Sequence, residues 1–315
     1  MLAQNNYFIY NAFIVNEGKI FQGDVLIQHG IIKGIYKEKS PVEDILMEND
    51  TMFVDASGRY LIPGVIDTHV HFREPGLTHK GCFLSESKAA VAGGVTSVMD
   101  MPNVIPQTTS CATWEERMQL AKDKMYTNYS FYIAATDANS EEIKALDKHK
   151  VCGIKLFLGS STGNMLIADN HVLENLLQTH TVPLVAHCED EAMIHANIEQ
   201  MKATYGEHIP IEKHPVIRSA EACYLSTEKI INLAKKHHSQ IHILHVSTTD
   251  ELALFTSDYP EITAEVCVAY LFLDDTQYAS KGTPMNSCKL LIMELHIVSL
   301  PIMHRIPWKR KTIPT

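Results

Sequence analysis

The chain has 315 residues, 45% hydrophobic and 20% charged, which is ordinary for a soluble globular body and excludes a disorder-like depletion of apolar side chains. Its formal net charge of −10 argues against nucleic acid or an anionic membrane surface as the main partner and leaves small molecules open. The seven cysteines are scattered without a C-x-x-C pair, so they read as reduced thiols, not a disulfide framework or a zinc finger.

The N-terminal MLAQNNYFIYNAFIVNEG has no basic segment followed by a long apolar run. No signal peptide is predicted, and the expected location is cytoplasmic. No stretch reaches the roughly 18 apolar residues of a membrane span. Residues 7–57 alternate apolar and polar side chains in short runs (YFIYNAFIV, KIFQGDVLIQ, IIKGIYK, TMFVDA) separated by Gly, Asn and Asp. That pattern predicts a small N-terminal β-sandwich subdomain over residues 1–60.

From about residue 61 short β-branched runs alternate with helical stretches, the signature of βα units around a parallel sheet. Strands are predicted near 62–71, 95–101, 129–135, 151–158, 182–188, 240–246 and 262–268, with helices between them such as 189–206 and 219–236. A (β/α)8 TIM-type barrel over residues 61–285 is the natural reading, since that architecture occupies about 250 residues. The eighth strand is missing from the pattern. Residues 286–315 (beginning NSCKLLIMELH) lose the βα rhythm and turn basic, and no domain is assigned to them.

His69 and His71 sit in VIDTHVHF. Residues two apart on a strand point the same way, so both imidazoles, with Asp67, face one side of the first barrel strand near its C-terminal end, where barrel enzymes keep their chemistry. Taken alone, H-x-H is a short motif and is equally read as two polar residues near a loop. His187 closes the run VPLVAHC and His245 the run IHILHV. Four histidines at one recurring topological position are hard to explain without a metal. Lys155 lies within the apolar strand CGIKLFLG. It either snorkels to the barrel mouth or is buried with a depressed pKa, able to take up carbon dioxide as a carbamate that bridges two metals.

At these residues the chain resembles the dihydroorotases of the amidohydrolase superfamily. DTHVHFREPG (67–76) is similar to their N-terminal signature, and GGVTSVMDMPN (93–103), GIKLFLGSSTGNML (153–166), VAHCED (185–190), HPVIRSAEA (214–222) and ILHVST (243–248) continue the match in order. The resemblance implies a metal-dependent hydrolase with two Zn2+ per chain, His69 and His71 on one ion, His187 and His245 on the other, and carboxylated Lys155 between them. It assigns Arg73 and Asn103 to the substrate; a planar guanidinium holds a carboxylate in a bidentate pair. The implied reaction is the reversible interconversion of L-dihydroorotate and N-carbamoyl-L-aspartate in pyrimidine biosynthesis. The partner is then a small-molecule substrate, with no nucleic acid and no membrane; a homodimer is left open.

The chain also departs from the family. Relatives carry a T-D-H-A-P-H segment on strand eight whose aspartate moves the proton, and it is absent here, so the catalytic residue is unknown; Tyr270 stands where relatives often have histidine. Codons rebuilt from the third base of one residue and the first two of the next, between Leu300 and Lys311, allow T-D-H-A-P-H-T-L-E-E-K. Two letters are forced, Ala from Met303–His304 and Glu from Trp308–Lys309. The expectation is a frameshifted end after about residue 285 and a chain without turnover. Two alternatives stay open: a hydantoinase or allantoinase, which shares the metal cradle, and a non-catalytic relative.

Overall fold

The computed structural model describes residues 6–37, 50–159 and 165–281. The predicted tail 286–315 and the whole SSTGN loop (160–164) therefore lie outside the described residues. Contacts divide the chain into two units: one takes the residues up to Ile66 together with Gly94–Ser97, and the other takes Asp67–Gly93 and the described residues from Val98 on.

The first unit is built on β1 (Asn6–Asn16), β2 (Lys19–Gln28), β3 (Ile31–Tyr36), β4 (Thr51–Asp55) and β5 (Tyr60–Leu61). Glu17 and Gly18 join β1 to β2, and His29 and Gly30 join β2 to β3; all four have positive φ. Two successive left-handed residues make the type I′ turn whose twist suits a hairpin, so both pairs run antiparallel. The sheet order is β3-β2-β1-β4, with β5 also on β1. Ala12, Ile14, Val25 and Ala56 form its core. A second sheet of the expected sandwich is not found in this unit among the described residues. The described residues form one sheet, and β4 and β5 join β1 in parallel, since each returns from further along the chain instead of through a tight turn.

In the second unit the period changes to alternating strands and helices. Its strands are β6 (Val65–Val70, entered from the first unit), β7 (Val95–Asp100, likewise), β8 (Asn128–Phe131), β9 (Ile133–Ala134), β10 (Ile154–Phe157), β11 (Leu184–His187), β12 (Ile241–Ile243) and β13 (Ile262–Ala264). β8 and β9 are one predicted strand interrupted at Tyr132, so the seven expected positions are all filled. The ladders run β6-β7-β8 and β9-β10-β11-β12-β13, the second parallel throughout. β10 reads IKLF and is buried at every position, as a strand covered on both faces must be.

The helices follow their caps. In α1 (Ala220–His237) the Ser219 side chain accepts from Ala222 N–H, and His238 closes the helix in the left-handed conformation. Ala222, Cys223, Ser226, Thr227, Ile230, Ile231 and Ala234 make its buried stripe, two neighbours every turn, which is the spacing of a helix lying on a sheet. In α2 (Glu191–Tyr205) Asp190 caps Met193 N–H at 2.8 Å. Both agree with the predicted 219–236 and 189–206 to within two residues.

The C-terminal ends of β12 and β13 differ from expectation. The ladder stops at Ile243 and Ala264, well short of the predicted 246 and 268. His245 thus stands past the strand with φ of +40°. A left-handed residue cannot continue a pleated ladder, so the chain turns there and the imidazole leaves the strand direction.

Candidate active site

A buried scaffold holds the loops that follow β6 and β7. Arg117, in a helix spanning Cys111–Ala121, lies with its side chain 1% exposed against an Asp100 that is wholly buried. Its Nη2 donates to Asp100 Oδ2 at 2.6 Å, Nη1 to the Met101 carbonyl at 2.8 Å and Nε to the Glu74 carbonyl at 3.2 Å. Asp100 Oδ1 accepts Phe72 N–H at 3.2 Å. The buried charges are therefore fully engaged, the condition under which burying them is tolerable. Between these anchors Arg73 is held at φ of +67°. Gly76, at φ of +78°, passes so close to Ile105 that a Cβ would lie 2.2 Å from its carbonyl oxygen, so only glycine fits.

The imidazoles meet at the C-terminal ends of the strands. Ring centroids of His69 and His71 are 5.2 Å apart, of His69 and His245 5.3 Å, and of His187 and His245 4.8 Å. His187 Nδ1 and His245 Nε2 are 2.9 Å apart. His71 is pushed down to about 2 by burial and by the neighbouring His69, Arg73 and Lys155 charges. Burial also drives His245 well below its usual value, helped by His187, Lys155 and His69. Both rings are neutral at physiological pH, the protonation state in which imidazole is a metal ligand.

Lys155 is 2% exposed, and its Nζ lies 4.7 Å from the Phe157 ring centroid. Burial lowers its pKa to about 7, because a desolvated ammonium is costly. The lysine is interior and does not snorkel. Phe157 in turn lies 6.3 Å from the His187 ring, so the amine is one residue removed from the imidazole cluster. The Asn103 side chain reaches His71, yet its Oδ1 is buried without a hydrogen-bond partner. An orphaned buried acceptor beside the cluster is what a bound ligand group or water would satisfy.

All five predicted metal residues are thus gathered in the second unit, with Arg73 and Asn103 at His71. Two carboxylates accompany them. Glu189 accepts from His187 Nε2 at 2.8 Å and is held by the Arg218 fork. Glu265 accepts from His69 Nδ1 at 2.5 Å. Sequence reading expects Glu189, like Asp67 and Asp190, to orient ligands or cap structure without choosing between them, and it passes over Glu265 and Arg218; the available signal was an acidic residue just past an apolar strand, as in ITAEV. Among the described residues no three His, Cys, Asp or Glu side chains are disposed to hold a metal as they stand, since the facing nitrogens of His187 and His245 bond to each other. The donor set nevertheless fits zinc in kind: four imidazoles, two of them backed by carboxylates. A separate cavity of about 830 Å3 lies at the opposite ends of β10, β11 and β12, lined by residues such as Val182, Leu184, Ser239 and Ile241. It contains none of the predicted site residues.

Known proteins resemble this chain over most of its length. A sequence model described as "Dihydro-orotase-like" matches residues 58–251. A dihydroorotase of Methanosphaera stadtmanae is 32% identical over 266 residues, covering 82% of this chain and 58% of that protein. An L-hydantoinase of Paenarthrobacter aurescens is 26% identical over 300 residues, covering 90% of this chain and 63% of that one. Among solved structures, an L-hydantoinase (dihydropyrimidinase) from Arthrobacter aurescens superposes with a TM-score of 0.80 at 24% identity, over 87% of this chain and 60% of that one, a likeness of fold. The chain spans about three-fifths of the length of these relatives. The run of strand-end histidines, the buried lysine and the family match together place it: this chain belongs to the dihydroorotase-like family.

Proposed function

We propose that the chain carries the metal centre and substrate grip of a dihydroorotase, interconverting L-dihydroorotate and N-carbamoyl-L-aspartate. The observation that carries this reading is the meeting of His69, His71, His187 and His245 beside a buried Lys155 whose amine is driven toward neutrality. Those five residues would hold two zinc ions. When bound, the pair supplies a lowered water pKa and a Lewis acid for the ring carbonyl. The neutral Lys155 amine adds to carbon dioxide with loss of a proton, giving a carbamate with two oxygen donors. Arg73 offers its fork to the substrate carboxylate, and Asn103 an amide beside it.

The strand-eight aspartate of the family has no counterpart in the sequence, so no residue of this chain is assigned to proton transfer. With no residue assigned to that step, the 315-residue protein is expected to bind substrate without turning it over. Purified protein assayed for carbamoyl-aspartate cyclisation tests this, and measurable turnover contradicts it. DNA sequencing across the codons for residues 286–315 tests the frameshift: no frame encoding T-D-H-A-P-H means the idea is wrong. A cytoplasmic setting and a homodimer belong to the same proposal. Among the described residues no helix is long and apolar enough to cross a membrane.

The hydantoinase and allantoinase likenesses favour a second reading in which the substrate is an uncharged ring. Arg73 separates the two. Arg73→Ala is expected to weaken N-carbamoyl-L-aspartate binding to zinc-loaded protein by about 10- to 100-fold, the worth of a charge-assisted pair, as read by titration calorimetry. Unchanged carbamoyl-aspartate binding alongside tight hydantoin binding selects the second reading.

A further inference from the structure

Glu265 lies one residue beyond β13, and its side chain is 14% exposed. Four donors converge on it. Oε1 accepts from His69 Nδ1 at 2.5 Å and from His245 N–H at 3.3 Å. Oε2 accepts from Thr68 Oγ1 at 3.2 Å and from His242 Nε2 at 3.3 Å. His242 is itself set by Thr263, whose Oγ1 lies 2.9 Å from Nδ1. A hydroxyl donating there leaves Nδ1 as an acceptor and puts the ring proton on Nε2, toward Glu265.

The consequence falls on His69. A carboxylate with four donors around it is an acceptor only, so His69 Nδ1 must carry the proton and Nε2 must carry the lone pair. We propose that Glu265 is the positioning residue of the centre: it fixes the tautomer and ring orientation of His69, presenting Nε2 as the single nitrogen free to ligate. Through the His245 backbone N–H it also ties the left-handed turn that carries the second imidazole. One side chain thus sets residues from opposite ends of the strand series, β6 and the turn after β12. Outer partners of this kind change metal affinity by about 10- to 100-fold when removed. The inference rests on the metal-centre reading for its purpose, but its structural content is independent of metal.

Two measurements on the full chain keep those apart. In metal-free protein labelled with 15N-histidine, His69 is expected as the Nδ1-protonated tautomer, and Glu265→Gln or Glu265→Ala is expected to move it toward the Nε2-protonated form. Zinc titration against a chromophoric chelator is expected to show weaker binding by about 10-fold or more in either variant. If Glu265→Ala does not fold, the wild-type tautomer and Glu265→Gln decide alone. A wild-type His69 protonated on Nε2, or a tautomer and zinc affinity indifferent to Glu265, overturns the proposal. Wild-type protein that takes up no zinc while showing the expected tautomer leaves Glu265 in place and removes the metal-centre reading.

Discussion

Lys155 shows what burial does to a single residue. Its strand neighbours Ile154, Leu156 and Phe157 are buried with it, and an ammonium among them is desolvated, with no ion pair to a carboxylate among the described residues. Such a group lowers stability and gains reactivity as a free amine. Lys155→Met is therefore expected to raise the stability of metal-free protein by about 1–3 kcal/mol, measured by urea denaturation in chelator. The same variant is expected to lose zinc binding by more than about 100-fold, beyond the range for an outer partner. A variant that is more stable and still binds two zinc ions would show that the amine does not ligate. His69 and His187 illustrate a different residue-scale effect: each is backed by a carboxylate, which chooses the nitrogen it presents.

Elements place these residues by where they stop. Parallel strands end at one rim, so a residue at or just past the last ladder pair faces the common mouth. β12 and β13 stop early, and the chain past them turns inward with His245 and Glu265. The Cys111–Ala121 helix acts at a distance: its Arg117 clamps Met101, Glu74 and Asp100, and so holds the loop bearing Arg73. Arg117→Ala leaves a buried carboxylate without its partner and is expected to cost about 3–5 kcal/mol, read as a lowered midpoint in chemical denaturation. A loss near zero would mean that water satisfies Asp100.

At the scale of the molecule, the proposed metal centre would couple stability to zinc. The proposed site draws its five side chains from four strands and does not exist in the unfolded chain, so zinc held there would bind the folded state preferentially. Zinc at about 100 times its dissociation constant is expected to add about 2.7 kcal/mol, seen as a raised thermal midpoint that chelator reverses. No shift would argue that the cluster is held by its own hydrogen bonds and takes no ion. The described residues leave β6 and β13 each paired on one side, and an open ladder edge invites association between chains.

Much of this was present in the linear order of residues. The change from period-two alternation to βα rhythm near residue 61, the strand-end positions of His69, His71 and His187, and the lysine inside an apolar run are local properties, governed by backbone geometry over a few residues. The single-sheet first unit was not legible, because β4 and β5 join β1 from across the chain, and sequence periodicity does not report which strands pair. Nor was the Glu265–His69 pair, whose members are 196 residues apart, or the Arg117 clamp. Hydrogen-bond partners, tautomers and left-handed turns are decided by which strand ends arrive side by side, and that juxtaposition exists only once the sheet has folded.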